Sequence, residues 1–343
     1  MREFRPSSPA DAAAIAALLR ESGLNPVVRP EVEQWKYWQP RADWQGDRSY
    51  VLTDHGNVIA HGAIVPGVLT WSGERARIIF VVDWAARPEA LGAGVTLMKR
   101  LAGLGDGMLA VGGKPQTRQI LPHLGFKPTG EVRGYVRPLR PLRLFGAGTH
   151  LGWRLLPRFA RSTLWVVRAP TGGGDDLKVR RIAPNELSVV RPAFPTPTGA
   201  TAVFERSEAS MRHTLECPLV QMELHALERS SRVQGYFLLA VAGRQARLAD
   251  CWITGQDSFD WRSLIQHAVR RAKEHPEIAE VTAWSSDALF SESLLQCGFH
   301  PRNTQPLSLM IRGSRTAPPG TLRVQMIDTD LAYLDPYAAS LWA

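Results

Sequence analysis

Cysteine is scarce in this 343-residue chain, and its few cysteines form no pattern. Cys217, Cys251 and Cys297 are odd in number and lie far apart, so they predict neither a disulfide framework nor the paired spacing of a zinc or redox motif. We therefore expect no metal site. A reducing compartment, the cytoplasm, is the simplest location for such a chain.

Long hydrophobic runs are also missing. The longest are Ala12 to Leu19 and Tyr236 to Ala242, far short of the ~20 residues that cross a bilayer. With 44% apolar and 21% charged residues, the composition is that of a globular protein with a buried core. The length predicts two domains, because single cores stop growing at about 250–300 residues.

Acidic residues are absent from one long segment, Pro138 to Ala169, which carries six arginines and much of the net charge of +9. A flexible Gly172-Gly173-Gly174 follows it, so residues 141–176 are predicted to connect the domains. Three interpretations stay open: a solvated linker, a helix in peripheral contact with a membrane, and a nucleic-acid patch. A nucleic-acid partner is the least favoured of the three, because no recognisable binding module is present.

The two halves of the chain repeat weakly at an offset of about 170 residues. Phe4-Arg5-Pro6 has a counterpart in Val179-Arg180-Arg181, and Leu124-Gly125-Phe126 has one in Cys297-Gly298-Phe299. The repeat predicts domains at 1–140 and 177–313. A Pro/Gly-rich stretch then sets off a tail, 314–343.

Each half shows the same predicted order of strands and helices. In the first half, alternating apolar residues predict strands at Arg48–Thr53 and Val58–Val65 around a hairpin turn, followed by a central strand at Ala76–Asp83. The second half has an equivalent strand pair at Gln234–Ala242 and Ala246–Ile253. The sequence thus predicts an α/β fold with a mixed sheet.

A glycine-containing loop, Asp83 to Thr96, joins the predicted central strand of the first half to a helix. Unpaired N–H groups and the positive end of the helix dipole converge at such a junction, which suits a phosphate. Taken alone, the loop is weak evidence, since glycines here also serve simply to make turns.

The whole pattern resembles the GNAT superfamily of acyl-CoA N-acyltransferases, and within it proteins associated with exopolysaccharide genes. The likeness rests on Asp83 five residues before Pro88, on Gly92-x-Gly94, on Trp35-Lys36-Tyr37 and on the closing Leu124-Gly125-Phe126. It covers most of residues 1–140 and, more faintly, 177–312. It implies two tandem GNAT-like domains.

Several residues depart from the family pattern. Leu91 stands where the loop motif has Gln or Arg, and Thr96 stands at its final Gly/Ala position. Leu121-Pro122-His123 replaces a tyrosine that many members use as general acid. In the second half, the sequence from Gln256 to Trp261 replaces the glycine-rich loop, so we expect that half not to bind CoA.

The resemblance implies that the first half binds acetyl-CoA or another acyl-CoA as co-substrate, held by backbone groups. The residues expected at the thioester are Val82, Trp84, Ala85 and Ala86. Those expected at the diphosphate are Leu91, Gly92, Ala93, Gly94, Val95 and Thr96.

Four side chains are candidates for chemistry or acceptor binding, each with a structural alternative. Asp83 is the candidate base, since burial at the end of an apolar strand raises a carboxyl pKa; the alternative is a structural hydrogen bond. His123 is the candidate acid, or a plain surface residue. Trp35 and Tyr37 line an acceptor pocket, or pack the first helices.

The leading prediction is an N-acyltransferase that moves an acyl group, acetyl first, from acyl-CoA to a small-molecule or saccharide amine such as an amino sugar. One alternative is a non-catalytic tandem GNAT that binds a ligand or partner. Another is aminoacyl transfer from a charged tRNA, of the FemABX type. The sequence has no coiled-coil arm, which argues against this alternative.

Overall fold

The computed structural model describes residues 2–113, 115–144, 156–168, 170, 177–199, 201–255, 257–313, 318 and 320–334. The strands within them are β1 (Arg2–Pro6), β2 (Ser49–Asp54), β3 (Asn57–Trp71), β4 (Glu74–Ala86), β5 (Gly107–Val111), β6 (Lys127–Pro138), β7 (Lys178–Ile182), β8 (Ala202–Phe204), β9 (Gln221–Arg229), β10 (Arg232–Ala242), β11 (Gln245–Ile253), β12 (Glu280–Ser285), β13 (His300–Ile311) and β14 (Leu322–Arg323). The α-helices are α1 (Ala12–Glu21), α2 (Pro30–Glu33), α3 (Ala93–Ala102), α4 (Pro115–Ile120), α5 (Pro141–Leu144), α6 (Leu156–Arg168), α7 (Glu208–Leu215), α8 (Ser258–Glu274) and α9 (Ala288–Gln296).

The strands form one continuous mixed sheet in the order β1-β2-β3-β4-β5-β13-β6-β12-β11-β10-β9-β7. Each half contributes an antiparallel meander that ends in one parallel pair, β4 with β5 and β11 with β12. A helix, α3 or α8, makes each parallel crossover, as such connections require. The predicted mixed α/β fold is confirmed.

The last strand of each half is exchanged at the centre of the sheet. β13 of the second half pairs with β5 of the first, and β6 of the first half pairs with β12 of the second. β6 and β13 also pair with each other. Each half-sheet is therefore completed by the other half, while the predicted domain boundaries themselves stay a prediction.

The predicted hairpins are confirmed. β2 and β3 pair around His55 and Gly56, which have φ values of 48° and 80°. A two-residue turn with positive φ at both positions matches the twist of its strands, and a glycine at the second position adopts it without steric cost. The second-half pair of β10 and β11 is found as predicted.

The internal repeat extends to side-chain contacts at the start of each half. Arg5 binds Asp11 at 2.7 Å, and Asp11 accepts a hydrogen bond from the backbone N–H of Ser8 at 2.8 Å. Six residues likewise separate Arg180 from Glu186, which it binds at 3.2 Å, and Glu186 accepts from a backbone N–H three residues earlier. The same arrangement, an arginine bound to an acidic residue that also accepts a backbone hydrogen bond, therefore occurs at β1 and at β7.

Part of the arginine-rich connection forms α6. Its Trp165 stacks on His300 with ring centres 3.6 Å apart, while Leu164, Val167 and Arg168 are exposed. Residues 145–155, 169 and 171–176 of that connection lie outside the described residues. Membrane contact there stays a prediction. Among the described helices, none is long and apolar enough to cross a bilayer.

Candidate functional site

The central parallel pair of the first half opens into a cleft. β4 and β5 pair only from Ile78 to Phe80 against Gly107 to Leu109, although β4 continues to Ala86. The N–H and C=O groups of a strand point alternately to its two neighbours, so β4 directs main-chain groups into this cleft beyond Phe80. In the part of the chain that the structure describes, no strand pairs with that edge.

A β-bulge lies on β4 at the mouth of the cleft. His61 faces Ala85 and Ala63 faces Val82, so that Asp83 and Trp84 together oppose one residue of β3. Asp83 has a φ of +50°, a left-handed conformation that is uncommon outside glycine. A bulge of this kind changes the direction of side chains. Here the Asp83 side chain contacts Tyr37, whereas the Trp84 side chain contacts Gly94.

The ring of His61 supports this bulge. Its Nδ1 lies 3.1 Å from the carbonyl oxygen of Asp83, which can only accept, so Nδ1 carries the proton and Nε2 accepts from the Ser49 hydroxyl at 2.9 Å. Burial lowers the pKa of His61 to about 4, so the ring is neutral at physiological pH. His61 therefore holds the backbone of Asp83 and does not supply charge.

Two neighbouring spaces lie along the cleft. An open groove of about 550 Å³ runs along residues 83–86 and is bordered by Thr117 of α4 and by Asp330. An apolar slot of about 180 Å³ lies between the diverging strands, with Met98 and Phe126 in its wall. Trp84 and Thr117 line both spaces.

The helix after β4 begins next to Trp84 and Ala86, two residues that line the groove. Gly92 precedes α3 with a φ of 74°, and no side chain caps the helix. The N–H groups of Gly94 and Val95 in the first turn have no carbonyl four residues earlier in the helix to bind. The indole N–H of Trp84 donates to the Gly94 carbonyl at 3.2 Å, which holds this helix start against β4.

The loop before α3 is exposed, and a cation lies beside it. The Leu91 side chain is 83% exposed and contributes no charge, but its carbonyl accepts a hydrogen bond from the Arg2 guanidinium at 3.1 Å. Of the predicted thioester residues, Trp84, Ala85 and Ala86 line the groove, whereas Val82 is buried beside Tyr37 and lines neither space. The predicted diphosphate residues 91–96 lie at the start of α3, where Gly94 is next to Trp84 and Ala86.

Asp83 forms a buried cluster with two residues of the Trp35-Lys36-Tyr37 motif. The Lys36 ammonium and the Tyr37 hydroxyl each lie 2.5 Å from its carboxylate. Burial opposes ionisation of Asp83, but Lys36 and Tyr37 outweigh it and hold its pKa below the usual value. Asp83 is therefore an ionised, firmly held carboxylate; its role as base stays a prediction.

The other two candidate side chains lie apart from Asp83. Trp35 is 4% exposed and stacks on His213, with its indole N–H donating to the His213 carbonyl at 2.8 Å. It thus packs against the second half. His123 is exposed, in the turn after α4, and lines neither space. Sequence analysis missed Arg2, Thr117 and Asp330, which no motif marks.

The equivalent cleft of the second half is filled by the chain itself. β11 and β12 pair only from Gln245 to Leu248 against Glu280 to Ala283. Beyond this point the Gln325 side chain accepts from the N–H of Cys251 at 2.9 Å and donates to its carbonyl at 2.8 Å. The segment 320–334, which the sequence analysis assigns to a tail, therefore occupies this cleft.

A buried ionic cluster holds that segment. Arg206 binds Asp250 through two hydrogen bonds, at 2.8 and 2.9 Å, and binds Asp328 at 2.8 Å. The Tyr236 hydroxyl also donates to Asp250, at 2.7 Å. Asp250 lies next to a register shift of β11, as Asp83 lies at the bulge of β4. Each half thus has a buried aspartate bound to a cation and a tyrosine.

The start of α8 also differs from that of α3. The carboxylate of Asp257 accepts a hydrogen bond from the N–H of Asp260 and so caps the helix with an anion. Because this carboxylate already occupies the positive end of the helix, a second anion is disfavoured there. Both features support the prediction that the second half does not bind CoA.

Comparison with known proteins identifies the fold. No protein-family model and no curated protein matches the chain by sequence. A GCN5-related N-acetyltransferase from Anabaena variabilis aligns with a TM-score of 0.57 at 12% identity, covering 91% of this chain and 73% of that one. Saccharomyces cerevisiae N-myristoyltransferase, solved with bound myristoyl-CoA and inhibitors, gives 0.58 at 13%, covering 92% and 81%.

A third structure shares the duplicated organisation. A tandem GNAT protein from the clavulanic acid biosynthesis pathway gives a TM-score of 0.55 at 11% identity, covering 92% of this chain and all of that one. The chain therefore has the fold of the GNAT acyl-CoA N-acyltransferases. More particularly, it has the arrangement of a tandem GNAT, as the resemblance predicts.

Proposed function

We propose that the first half binds an acyl-CoA and transfers its acyl group to an amine. The observation that carries this proposal is the open edge of β4 together with the uncapped start of α3, which lies beside Trp84 and Ala86 of that strand. An extended chain with amide groups can pair with that edge, and an anion suits the helix start.

The residues of the groove fit the parts of CoA. Pantetheine carries two amides in an extended arm, which would pair with β4 between Val82 and Ala86. The diphosphate would lie on the amides of Gly94 and Val95. Arg2 supplies a positive charge beside the loop, where Leu91 supplies none. The binding roles fall mainly on backbone groups, so side chains there can vary without loss of the site.

The chemistry requires little beyond position and proton transfer. The amine, once deprotonated, attacks the thioester carbonyl; the carbon–sulfur bond breaks, and the CoA thiolate leaves and takes up a proton. A main-chain N–H at the bulge would stabilise the oxyanion of the intermediate. Acetyl is the first acyl group to test, and an amino sugar is the acceptor that the sequence resemblance suggests.

The test combines binding with turnover. Acetyl-CoA, malonyl-CoA and myristoyl-CoA are each added to the protein, and the shift in unfolding temperature is measured. Release of free thiol is then followed with glucosamine and with a simple alkylamine. We expect a thermal shift with at least one thioester and amine-dependent thiol release.

A binding module without catalysis is the second candidate, favoured by the exposed Leu91 and by Asp83 being held between Lys36 and Tyr37. A thermal shift with no amine-dependent thiol release supports this candidate. The absence of any shift contradicts the acyl-CoA site itself.

A further inference from the structure

A carboxylate residue from the segment after the second half lines the groove of the first half. The segment 320–334 leaves the filled cleft of the second half and reaches the open groove, which Asp330 and Leu334 line together with residues 83–86. The groove is therefore formed by the first half and by this C-terminal segment.

The backbone around Asp330 is firmly anchored. One nitrogen of the Arg247 guanidinium donates to the carbonyls of Leu331 and Leu334, at 3.2 and 2.8 Å. The Thr329 hydroxyl accepts from the N–H of Leu331 at 3.1 Å, and Asp328 is bound by Arg206. These contacts on both sides fix the position of Asp330 without using its carboxylate.

The carboxylate of Asp330 is left available. Among the described residues, its one hydrogen-bond donor is its own backbone N–H. The Asp83 carboxylate, in contrast, is bound by both Lys36 and Tyr37. A base must have a free lone pair and lie in the site; both aspartates line the groove, but the Asp330 carboxylate is the one that no other described side chain binds.

The surroundings of Asp330 suit proton transfer near neutral pH. Burial raises its pKa to about 6, with Asp83 adding to the rise and Lys36 and Arg247 opposing it. Tyr333 also lies close, and its own pKa is raised well above the usual value, so it stays neutral. The carboxyl is therefore ionised at pH 7, yet more basic than an exposed aspartate.

We propose that Asp330 is the general base that removes the proton from the acceptor ammonium in the groove of the first half. This inference rests on the proposed acyl-CoA function. The ammonium gives its proton to the Asp330 carboxylate, and the neutral amine attacks the thioester carbonyl. After the carbon–sulfur bond breaks, the product is an amide and the thiolate is protonated to CoA.

The test is the pH profile of Asp330→Asn, with the acyl-CoA and amine for which the wild-type chain shows thiol release. We expect kcat/KM of the wild type to fall below a pH of about 6, where Asp330 becomes protonated. Asp330→Asn should lower kcat at least 100-fold, abolish that acid limb and leave the Kd for the acyl-CoA within twofold. Asp330→Glu should restore part of the rate.

Two further variants make the result specific. Glu31→Gln, on the exposed face of α2, removes one carboxylate away from the groove and should leave the profile unchanged. Asp83→Asn should lower stability but keep the acid limb, because Lys36 loses its partner while Asp330 stays intact.

The outcomes separate the two proposals. A wild type that turns over, with Asp330→Asn equally active or the acid limb lost only in Asp83→Asn, overturns the role of Asp330 and leaves the acyltransferase intact. A wild type that binds no acyl-CoA, or binds it without turnover on any amine, overturns the proposed function and the role of Asp330 with it.

Discussion

The two halves present the same cleft in opposite states. In each, two parallel strands pair over a few residues and then diverge beside a buried aspartate. The edge of β4 and the start of α3 are open in the first half. In the second, Gln325 pairs with the main chain of β11, and Asp257 caps α8.

This difference shows how a duplicated scaffold can separate its tasks. Main-chain groups buried without partners are costly, so a cleft that no ligand fills must be filled by the chain. The second half meets this need with the segment 320–334, and the same segment then carries Asp330 to the groove of the first half. The contacts in the filled cleft therefore hold in place the segment that lines the open groove.

The largest expected effect comes from closing the open helix start. Gly94→Glu places a carboxylate among the amides proposed for the diphosphate, so we expect acyl-CoA binding to fall more than 100-fold in calorimetry. Its Cβ would also meet Ala86 at 3.3 Å and Trp84 at 3.4 Å, so unfolding must be measured in parallel.

Two variants control for that substitution. Gly94→Ala, which meets the same neighbours without the charge, should keep most of the affinity. Phe259→Glu, at the matching second position of α8, where the side chain is 50% exposed, should leave it unchanged. Unaltered affinity in Gly94→Glu would remove the loop from the site.

The next effect compares the two buried ion pairs. Arg206→Met leaves Asp250 and Asp328 without their cation in the interior, and we expect a loss of about 3–5 kcal/mol in the free energy of unfolding. Lys36→Met should cost less, about 1–3 kcal/mol, because the side chains of Lys36 and Asp83 are 14% and 18% exposed. Urea denaturation of both variants measures the difference, and equal losses would mean that the two aspartates are equally enclosed.

Opening the filled cleft should have a smaller effect. Gln325→Ala leaves the N–H and the carbonyl of Cys251 without partners, so we expect a loss of about 1–3 kcal/mol in stability. Gln296→Ala, an exposed glutamine on α9, should cost less than about 0.5 kcal/mol. Because Asp257 still caps α8, Gln325→Ala should gain no second acyl-CoA site; a gain would show that Gln325 alone keeps CoA out.

The smallest effect concerns the repeated contact at the start of each half. The pKa of Asp11 falls to about 2, chiefly through its hydrogen bonds with Arg5. Its folded pKa lies below its unfolded value, so its stabilisation is present above pH 4 and is lost as the pH falls towards 2. Asp11→Asn should cost about 1 kcal/mol at pH 7, after allowance for the partial exposure of Arg5, and the cost should shrink towards zero as the pH falls through 2.

The second-half counterpart sharpens that measurement. Glu186 is 43% exposed and binds Arg180 at 3.2 Å, so Glu186→Gln should change stability by less than about 0.5 kcal/mol at either pH. A loss for Glu186→Gln as large as for Asp11→Asn would contradict the ranking of the two contacts.

Local pattern was enough to predict β2, β3, β4, β10 and β11, the hairpin between β2 and β3, and the helix that follows the loop at Gly92 and Gly94. The sequence pattern could not predict the exchange of β6 and β13. The alternation of apolar and polar residues in each strand is compatible with pairing in either half of the sheet. Asp330 lies in a segment that Gln325 and Asp328 hold in the cleft of the second half. Gln325 binds Cys251, and Asp328 binds Arg206, in each case more than 70 residues away in the sequence. Such contacts leave no periodicity in the sequence.

The most direct test of this account is the number of acyl-CoA sites per chain. Isothermal titration of the wild-type protein with acetyl-CoA, repeated with myristoyl-CoA, measures it without knowledge of the acceptor. An open first cleft and a filled second one predict one molecule bound per chain for at least one thioester. Two molecules per chain, or none with either thioester, would contradict the account.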